Sequence, residues 1–172
     1  MLSLSDNELS VINFLVRNFS EKLTIRSIAQ RLGFSPAGVF NILKKLEKEG
    51  IVTGEKFGTG MFYSINFDNR IAEHLASVVL LYSKDKTSLG IEQFKQAKAA
   101  IFDKNSLLVV KDNIAHLEFT IPDINVAIKT EDELVDLLRK KDAESLLILK
   151  KGIVLFGEEK IVEIIKKSVS RF

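Results

Sequence analysis

The sequence predicts an α+β protein: three helices and a β-wing at the N-terminus, a connector helix, and a small C-terminal α+β domain. Three observations predict it. Residues 24–65 run helix, tight turn, helix, two-stranded ribbon, with turn-forming residues at each junction. Residues 71–82 form a mostly apolar stretch with helical spacing. Beyond residue 97, short apolar runs of strand length alternate with amphipathic helical segments. A chain of 172 residues can hold one large domain or two small ones. The boundaries read from it are 1–70, 71–90 and 91–172.

The first helix starts at Ser5, which with Glu8 three residues later fits a capping box. Leu9, Ile12, Phe14, Leu15 and Val16 supply its apolar positions. Thr24 caps the second helix, Ile25, Ile28, Ala29 and Leu32 form its buried stripe, and Gly33 ends it in the left-handed conformation. Ser35-Pro36 opens the third: serine accepts from unpaired backbone amides, and proline suits the first helical position. Val39, Ile42, Leu43 and Leu46 follow the i, i+3, i+4, i+7 pattern and should face the core, and Gly50 closes the segment. Residues 51–56 and 61–67 then read as strands around the turn Phe57-Gly58-Thr59-Gly60. In the second strand Met61, Tyr63, Ile65 and Phe67 should form an apolar face, alternating with Phe62, Ser64 and Asn66.

A helix-turn-helix presents its second helix to the DNA major groove. The run Thr24-Ile25-Arg26-Ser27-Ile28-Ala29-Gln30-Arg31-Leu32-Gly33-Phe34-Ser35-Pro36, the lysine-rich helix after it and the junction Leu46-Glu47-Lys48-Glu49-Gly50-Ile51-Val52 resemble the winged helix-turn-helix of MarR/ArsR-type transcription regulators. The resemblance spans about 45 residues and implies binding to double-stranded DNA. Ser35, Pro36, Ala37, Gly38 and Asn41, near the helix N-terminus, would approach bases, and asparagine can pair with adenine through both amide atoms. Lys44, Lys45 and Lys48 would neutralise phosphates, with Lys56 and Thr59 contributing from the wing. Mutation of Lys44 or Lys45 is expected to weaken binding and lower its salt dependence, and Asn41→Ala to alter sequence preference. Two departures imply modest affinity. Many relatives carry arginine near the position of Asn41 and in the wing, and Phe40 stands where they place a small polar residue. Packing on the second helix, contact with a thymine methyl and contact with a protein all fit Phe40.

Asp68-Asn69 caps the connector, whose apolar positions include Ile71, Leu75, Val78, Val79 and Tyr82. A helix apolar on most faces needs partners on more than one side, as an inter-domain linker or a dimer helix has. Residues 84–90 read as a loop and 91–97 as a helix. Strands are expected at 99–102, 106–110 and 124–128, with a further candidate at 117–121. Helices follow at 131–140 and 143–150, then an apolar run at 153–157 and a last helix over 159–170.

This order, with the ending Asp142-Ala143-Glu144-Ser145-Leu146-Leu147-Ile148-Leu149-Lys150-Lys151-Gly152-Ile153-Val154-Leu155-Phe156-Gly157, resembles the tail of minimal nucleotidyltransferase domains, which in archaeal proteins often follow a winged helix. Those enzymes hold magnesium on two acids one residue apart beyond a Gly-Ser turn. Here Asp103-Lys104-Asn105-Ser106 joins the first two strands and carries neither. Asp103 and Asp112 lie nine residues apart, too far along a straight strand at ~3.3 Å per residue to share one ion. Asp123 is a single acid. The domain is therefore expected to be degenerate and non-catalytic, without a cofactor.

Composition narrows the classes further. The formal charge is +2, so attraction to DNA must come from local placement of charge. There is no cysteine, which removes disulfides, thiol catalysis and cysteine-ligated zinc, and His74 and His116 are isolated. No apolar run is long enough to span a bilayer, and the start, with Asp6 and Glu8 and no basic residue before Arg17, does not fit a secretory signal, so a cytoplasmic protein without membrane contact is expected. The resulting reading is a DNA-binding transcription regulator. It would act as a homodimer, and its C-terminal domain would dimerise or bind a small-molecule or protein effector. Two alternatives stand beside it. One is a protein-binding winged-helix adaptor, favoured by Phe40 and the sparsely basic wing. The other is a residual nucleotide-binding or nucleotidyltransferase module.

Overall fold

The computed structural model describes residues 3–82, 97–112, 121 and 123–170. The expected loop at 84–90, His116, and almost all of the helix at 91–97 and of the strand at 117–121 lie outside the described residues. The chain divides into two compact units, Met1–Val79 and Leu80–Phe172, and the connector helix runs across the division.

In the first unit α1 (Asp6–Arg17), α2 (Ile25–Leu32) and α3 (Pro36–Lys48) precede an antiparallel ribbon of β1 (Val52–Phe57) and β2 (Gly60–Ile65). The local signals for the helix starts are realised as hydrogen bonds. The Ser5 hydroxyl accepts from the Glu8 amide while the Glu8 carboxylate accepts from the Ser5 amide at 2.7 Å. Thr24 and Ser27 cap α2 by the same reciprocal pattern. The Ser35 hydroxyl accepts from the Gly38 amide at 3.1 Å. Gly33 adopts φ 70° at the end of α2. Val11, Ile12, Ile28, Val39, Leu43, Leu46 and Ile51 are fully buried and form the core on which α3 is seated. Leu23 adds a single bridge to the ribbon, its carbonyl accepting from the Tyr63 amide at 2.8 Å. Asn66 and Asn69 each donate a side-chain amide to the Gly50 carbonyl at 3.0 Å, fixing the exit of the ribbon. Asn69 then accepts from the Ile71 amide at the start of α4 (Arg70–Tyr82).

Among its described residues the second unit holds a four-stranded mixed sheet and three helices: β3 (Ala99–Asp103), β4 (Ser106–Val110), β5 (Asn125–Lys129), α5 (Glu131–Arg139), α6 (Ala143–Lys151), β6 (Ile153–Phe156) and α7 (Glu158–Val169). The strand order is β5-β4-β3-β6, with β4 and β5 parallel and the other pairs antiparallel. Period-two alternation gives the sheet two apolar faces. On one lie Ala100, Leu107, Val109 and Leu155. The other carries Ile101, Leu108 and Val154, and α6 and α7 pack on β3. Thr130 and Glu133 form a capping box at the acidic start of α5, and Asp142 caps α6. Gly157 enters α7 at φ 77°, where a Cβ would lie 2.1 Å from the Lys98 carbonyl, so only glycine fits.

Candidate nucleic-acid interface

The buried stripe of α3 fixes what its other side presents. Val39, Leu43 and Leu46 are fully buried. Ala37, Asn41, Lys44 and Lys48 therefore fall on the opposite side by helical spacing, and all four are exposed. Ser35 and Pro36 are also exposed at the helix start, and Gly38 is half-buried. At the wing, Lys56 and Thr59 are exposed. The structure thus brings Ala37, Asn41, Lys44 and Lys48 onto one continuous helix face.

Lys45 is placed differently. Its ammonium lies 2.8 Å from the Glu8 carboxylate and donates to the Ser3 carbonyl at 2.9 Å. Glu8 is only 6% exposed. Burial pushes the Glu8 carboxyl up, but Lys45, together with the Ser5 amide and hydroxyl, more than offsets this and holds it below its ordinary value. Lys45 is thus an anchor between α3 and the start of α1. On the other flank of α3, the Glu47 carboxylate accepts from the Gly54 amide at 3.2 Å and ties the helix to the wing. Burial, with Glu47 nearby, raises the Tyr63 phenol.

Phe40 is 46% exposed, with the Lys44 ammonium 6.0 Å from its ring centroid. Sequence reasoning missed Lys22. It precedes the bridging Leu23 and sets its ammonium 3.9 Å from the centroid of the exposed Phe57 ring, adding a second cation at the wing. No local pattern signals it, because Lys22 reaches the wing only through the pairing of Leu23 with Tyr63.

In the second unit Asp103, Asp112 and Asp123 lie at separate places. Asp103 ends β3 opposite Ser106, at the tip of the hairpin. Asp112 lies beyond the far end of β4 and pairs with Lys98 at 2.6 Å. Asp123 is exposed at φ 63°. Among the described residues, no three His, Asp or Glu side chains form a metal-binding group, and no helix is long and apolar enough to cross a membrane.

The three helices and the β-ribbon of the first unit make a winged-helix domain. Residues 2–59 match the family model described as MarR family, so the N-terminal part of the chain carries a MarR-family domain. No curated protein matches the chain. Among solved structures, it is similar to MepR of Staphylococcus aureus, a transcription regulator of the multidrug efflux pump MepA, at 18% identity and a TM-score of 0.40, over 54% of this chain and 73% of that one. It is also similar to CymR (YrzC) of B. subtilis, the global cysteine regulator, at 14% identity and a TM-score of 0.33, over 89% of this chain and 94% of that one.

Proposed function

We propose that the protein is a sequence-specific regulator that binds double-stranded DNA through α3 and acts as a homodimer. The observation that carries this reading is the exposed face of α3, where Ala37 and Asn41 precede Lys44 and Lys48 in a domain that matches the MarR family. Asn41 and the helix start would meet base edges, while Lys44 and Lys48 would meet phosphates. Lys45 supports the same surface indirectly, by anchoring α3 to α1. On α4, Ile71, Leu75, Val78 and Tyr82 recur at i, i+4, i+7 and i+11, and Ile71, Val78 and Tyr82 are 53, 44 and 87% exposed. That stripe supports self-association. A two-fold dimer would set its recognition helices about one DNA turn, ~34 Å, apart. The second unit serves as a non-catalytic, nucleotidyltransferase-like domain for dimerisation or for an effector. The dispersal of Asp103, Asp112 and Asp123 supports that role.

The test is a salt titration of duplex binding by fluorescence anisotropy, starting at low salt. Affinity should fall steeply as salt rises. A second reading, a protein-binding adaptor, is favoured by the exposure of Phe40. Absence of duplex binding at low salt, with a stable hetero-complex recovered from cells, would select it.

A further inference from the structure

The second unit holds a small cavity that the α3 surface does not use. β4 and β5 pair in parallel, Ser106 with Asn125 and Leu108 with Ala127, so these side chains share one face with Lys129 two residues on. α6 and α7 pack on β3, two strands in from the β5 edge of the sheet. The short side chain of Ala127 leaves a space of about 150 Å³ between β4, β5, α5 and the start of α6. Leu108, Leu137 and Ile148 give it apolar walls. A dry cavity of ~150 Å³ takes a molecule the size of benzene, whereas drug-sized ligands occupy ~300 Å³ or more. A nucleotide is too large to be enclosed there.

The polar groups around the cavity carry both charges. Asp142 caps α6 through one oxygen only: Oδ2 accepts from the Ser145 amide at 2.9 Å and from the Ser145 hydroxyl at 2.7 Å. Oδ1 has no partner among the described residues. The two bonds from Ser145 hold the Asp142 carboxyl below its ordinary value against the effect of burial, and the charge of Lys129 lowers it further without a hydrogen bond. The Lys129 ammonium is thus near Asp142 but not bonded to it, and it has no carboxylate partner among the described residues. Glu144 is a second, exposed carboxylate on the same cavity. The Ser106 hydroxyl and the Asn125 side-chain amide also lack partners among the described residues.

These charges select the class of ligand. A plain anion would be repelled by Asp142 and Glu144, and a plain cation by Lys129. A small molecule with both charges close together bridges the gap between Lys129 and Asp142, and a short branched body fills the apolar floor. We propose that this cavity binds a small aliphatic α-amino acid, with its carboxylate on Lys129, its ammonium on Asp142 Oδ1 and its side chain against Leu108, Ala127 and Ile148. The inference rests on the effector role given to the second unit above and adds the site and the chemical class of the effector.

The experiment titrates the full chain with L-valine by isothermal titration calorimetry. It repeats the titration with isovalerate, which lacks the ammonium, and with isobutylamine, which lacks the carboxylate. Valine should bind with a Kd below ~1 mM, and each analogue roughly ten-fold more weakly, the loss of one charge-assisted hydrogen bond. Lys129→Met, which keeps an apolar stem, should weaken valine binding roughly ten-fold and leave the circular dichroism unchanged. Ala127→Leu, which fills the floor, should abolish it. Duplex anisotropy with and without saturating valine reads the effector role separately. No binding of valine, equal affinity for the three compounds, or binding that survives both substitutions overturns the site. A valine effect on duplex affinity that survives both substitutions overturns the site and leaves the effector role standing. Valine binding lost in both variants, with duplex affinity indifferent to valine, supports the site and overturns the effector role.

Discussion

Replacing Lys45 by alanine separates holding α3 in place from contacting DNA with it. In the native protein the Lys45 ammonium is 2.8 Å from the Glu8 carboxylate, and Glu8 is 6% exposed. Deleting one partner of a fully buried pair costs ~3–5 kcal/mol, whereas an exposed pair is worth ~0.2–1 kcal/mol. Here one partner is buried and the Lys45 side chain is 45% exposed, so water can replace part of the lost contact. The expected loss is ~1.5 kcal/mol. Hydrogen exchange at the amides of Val11, Ile12 and Leu15, all on the buried side of α1, reads this loss in the N-terminal unit of the intact chain. The pH dependence follows from the sign of the Glu8 shift. Its folded-state value lies below the ordinary 4.5, so the stabilisation is fully present above 4.5 and is lost as pH falls through the folded value. The difference between parent and Lys45→Ala should therefore be largest near neutrality and shrink in acid. The salt dependence of duplex binding should stay at the parental value in Lys45→Ala. Unchanged exchange at pH 7, or a loss of salt dependence as large as that of Lys44→Ala, would refute the anchoring role.

Three further outcomes are expected. Lys44→Ala and Lys48→Ala should each lower the slope of log affinity against log salt by about 1 and weaken all duplexes alike. Asn41→Ala should redistribute preference among sequences in a selection from random duplexes, a discrimination of ~1–3 kcal/mol at the affected base pair. In the second unit, Glu131, Lys160, Glu163 and Lys167 form an ion-pair network, with Glu163 and Lys167 at 2.8 Å and Lys160 and Glu131 at 3.0 Å. Lys160 and Lys167 lower the Glu163 carboxyl from 4.5 to about 2. Its contribution is present above 4.5 and lost between 4.5 and about 2. With the Glu163 side chain 43% exposed, screening leaves ~1 kcal/mol of it. Acid titration of urea unfolding should show a shallower loss over that range in Glu163→Gln.

The helix starts were legible because capping is local. Ser5 with Glu8, Thr24 with its helix, and Ser35 before Pro36 are each encoded within four residues, and all three form as hydrogen bonds. The alternation in β2 was legible too, though Met61 is 43% exposed on the face expected to be apolar. That face is buried where it lies over the core, at Ile65 and Phe67, and Met61 lies on the part that projects past it. The same limit applies to the lysines. Lys44, Lys45 and Lys48 read alike in sequence, and only the packing of α1 on α3 brings Glu8 to Lys45 from 37 positions away. Lys22 reaches the wing through one β-bridge, which no periodicity announces. Likewise, parallel pairing of β4 with β5 depends on a crossover, whereas the β3–β4 hairpin is marked by the short turn between its strands.

The number of cations available to phosphate bears on oligomeric state. Arg31 is paired with Glu21 at 2.5 Å and Lys45 with Glu8, so both exposed cations already hold a carboxylate. Lys22, Lys44, Lys48 and Lys56 are exposed and have no carboxylate partner among the described residues. If these four lysines of α3 and the wing each meet one phosphate, at about −0.9 per contact in the slope of log affinity against log salt, one protomer would give about −3.6 and a dimer about −7. Between 50 and 200 mM salt this means a fall of roughly 10² for one protomer and roughly 10⁴ for a dimer. A charge on the exposed stripe of α4 distinguishes the cases without touching the wing or α3. Val78 is 44% exposed on that stripe, so Val78→Glu should leave the winged helix folded while opposing self-association. A homodimer is expected to show a slope near −7 that falls to about half in Val78→Glu, with a matching change of mass in analytical ultracentrifugation. A parental slope near −3.6, unchanged by the substitution, would mean that one protomer binds alone and that the α4 stripe serves another purpose.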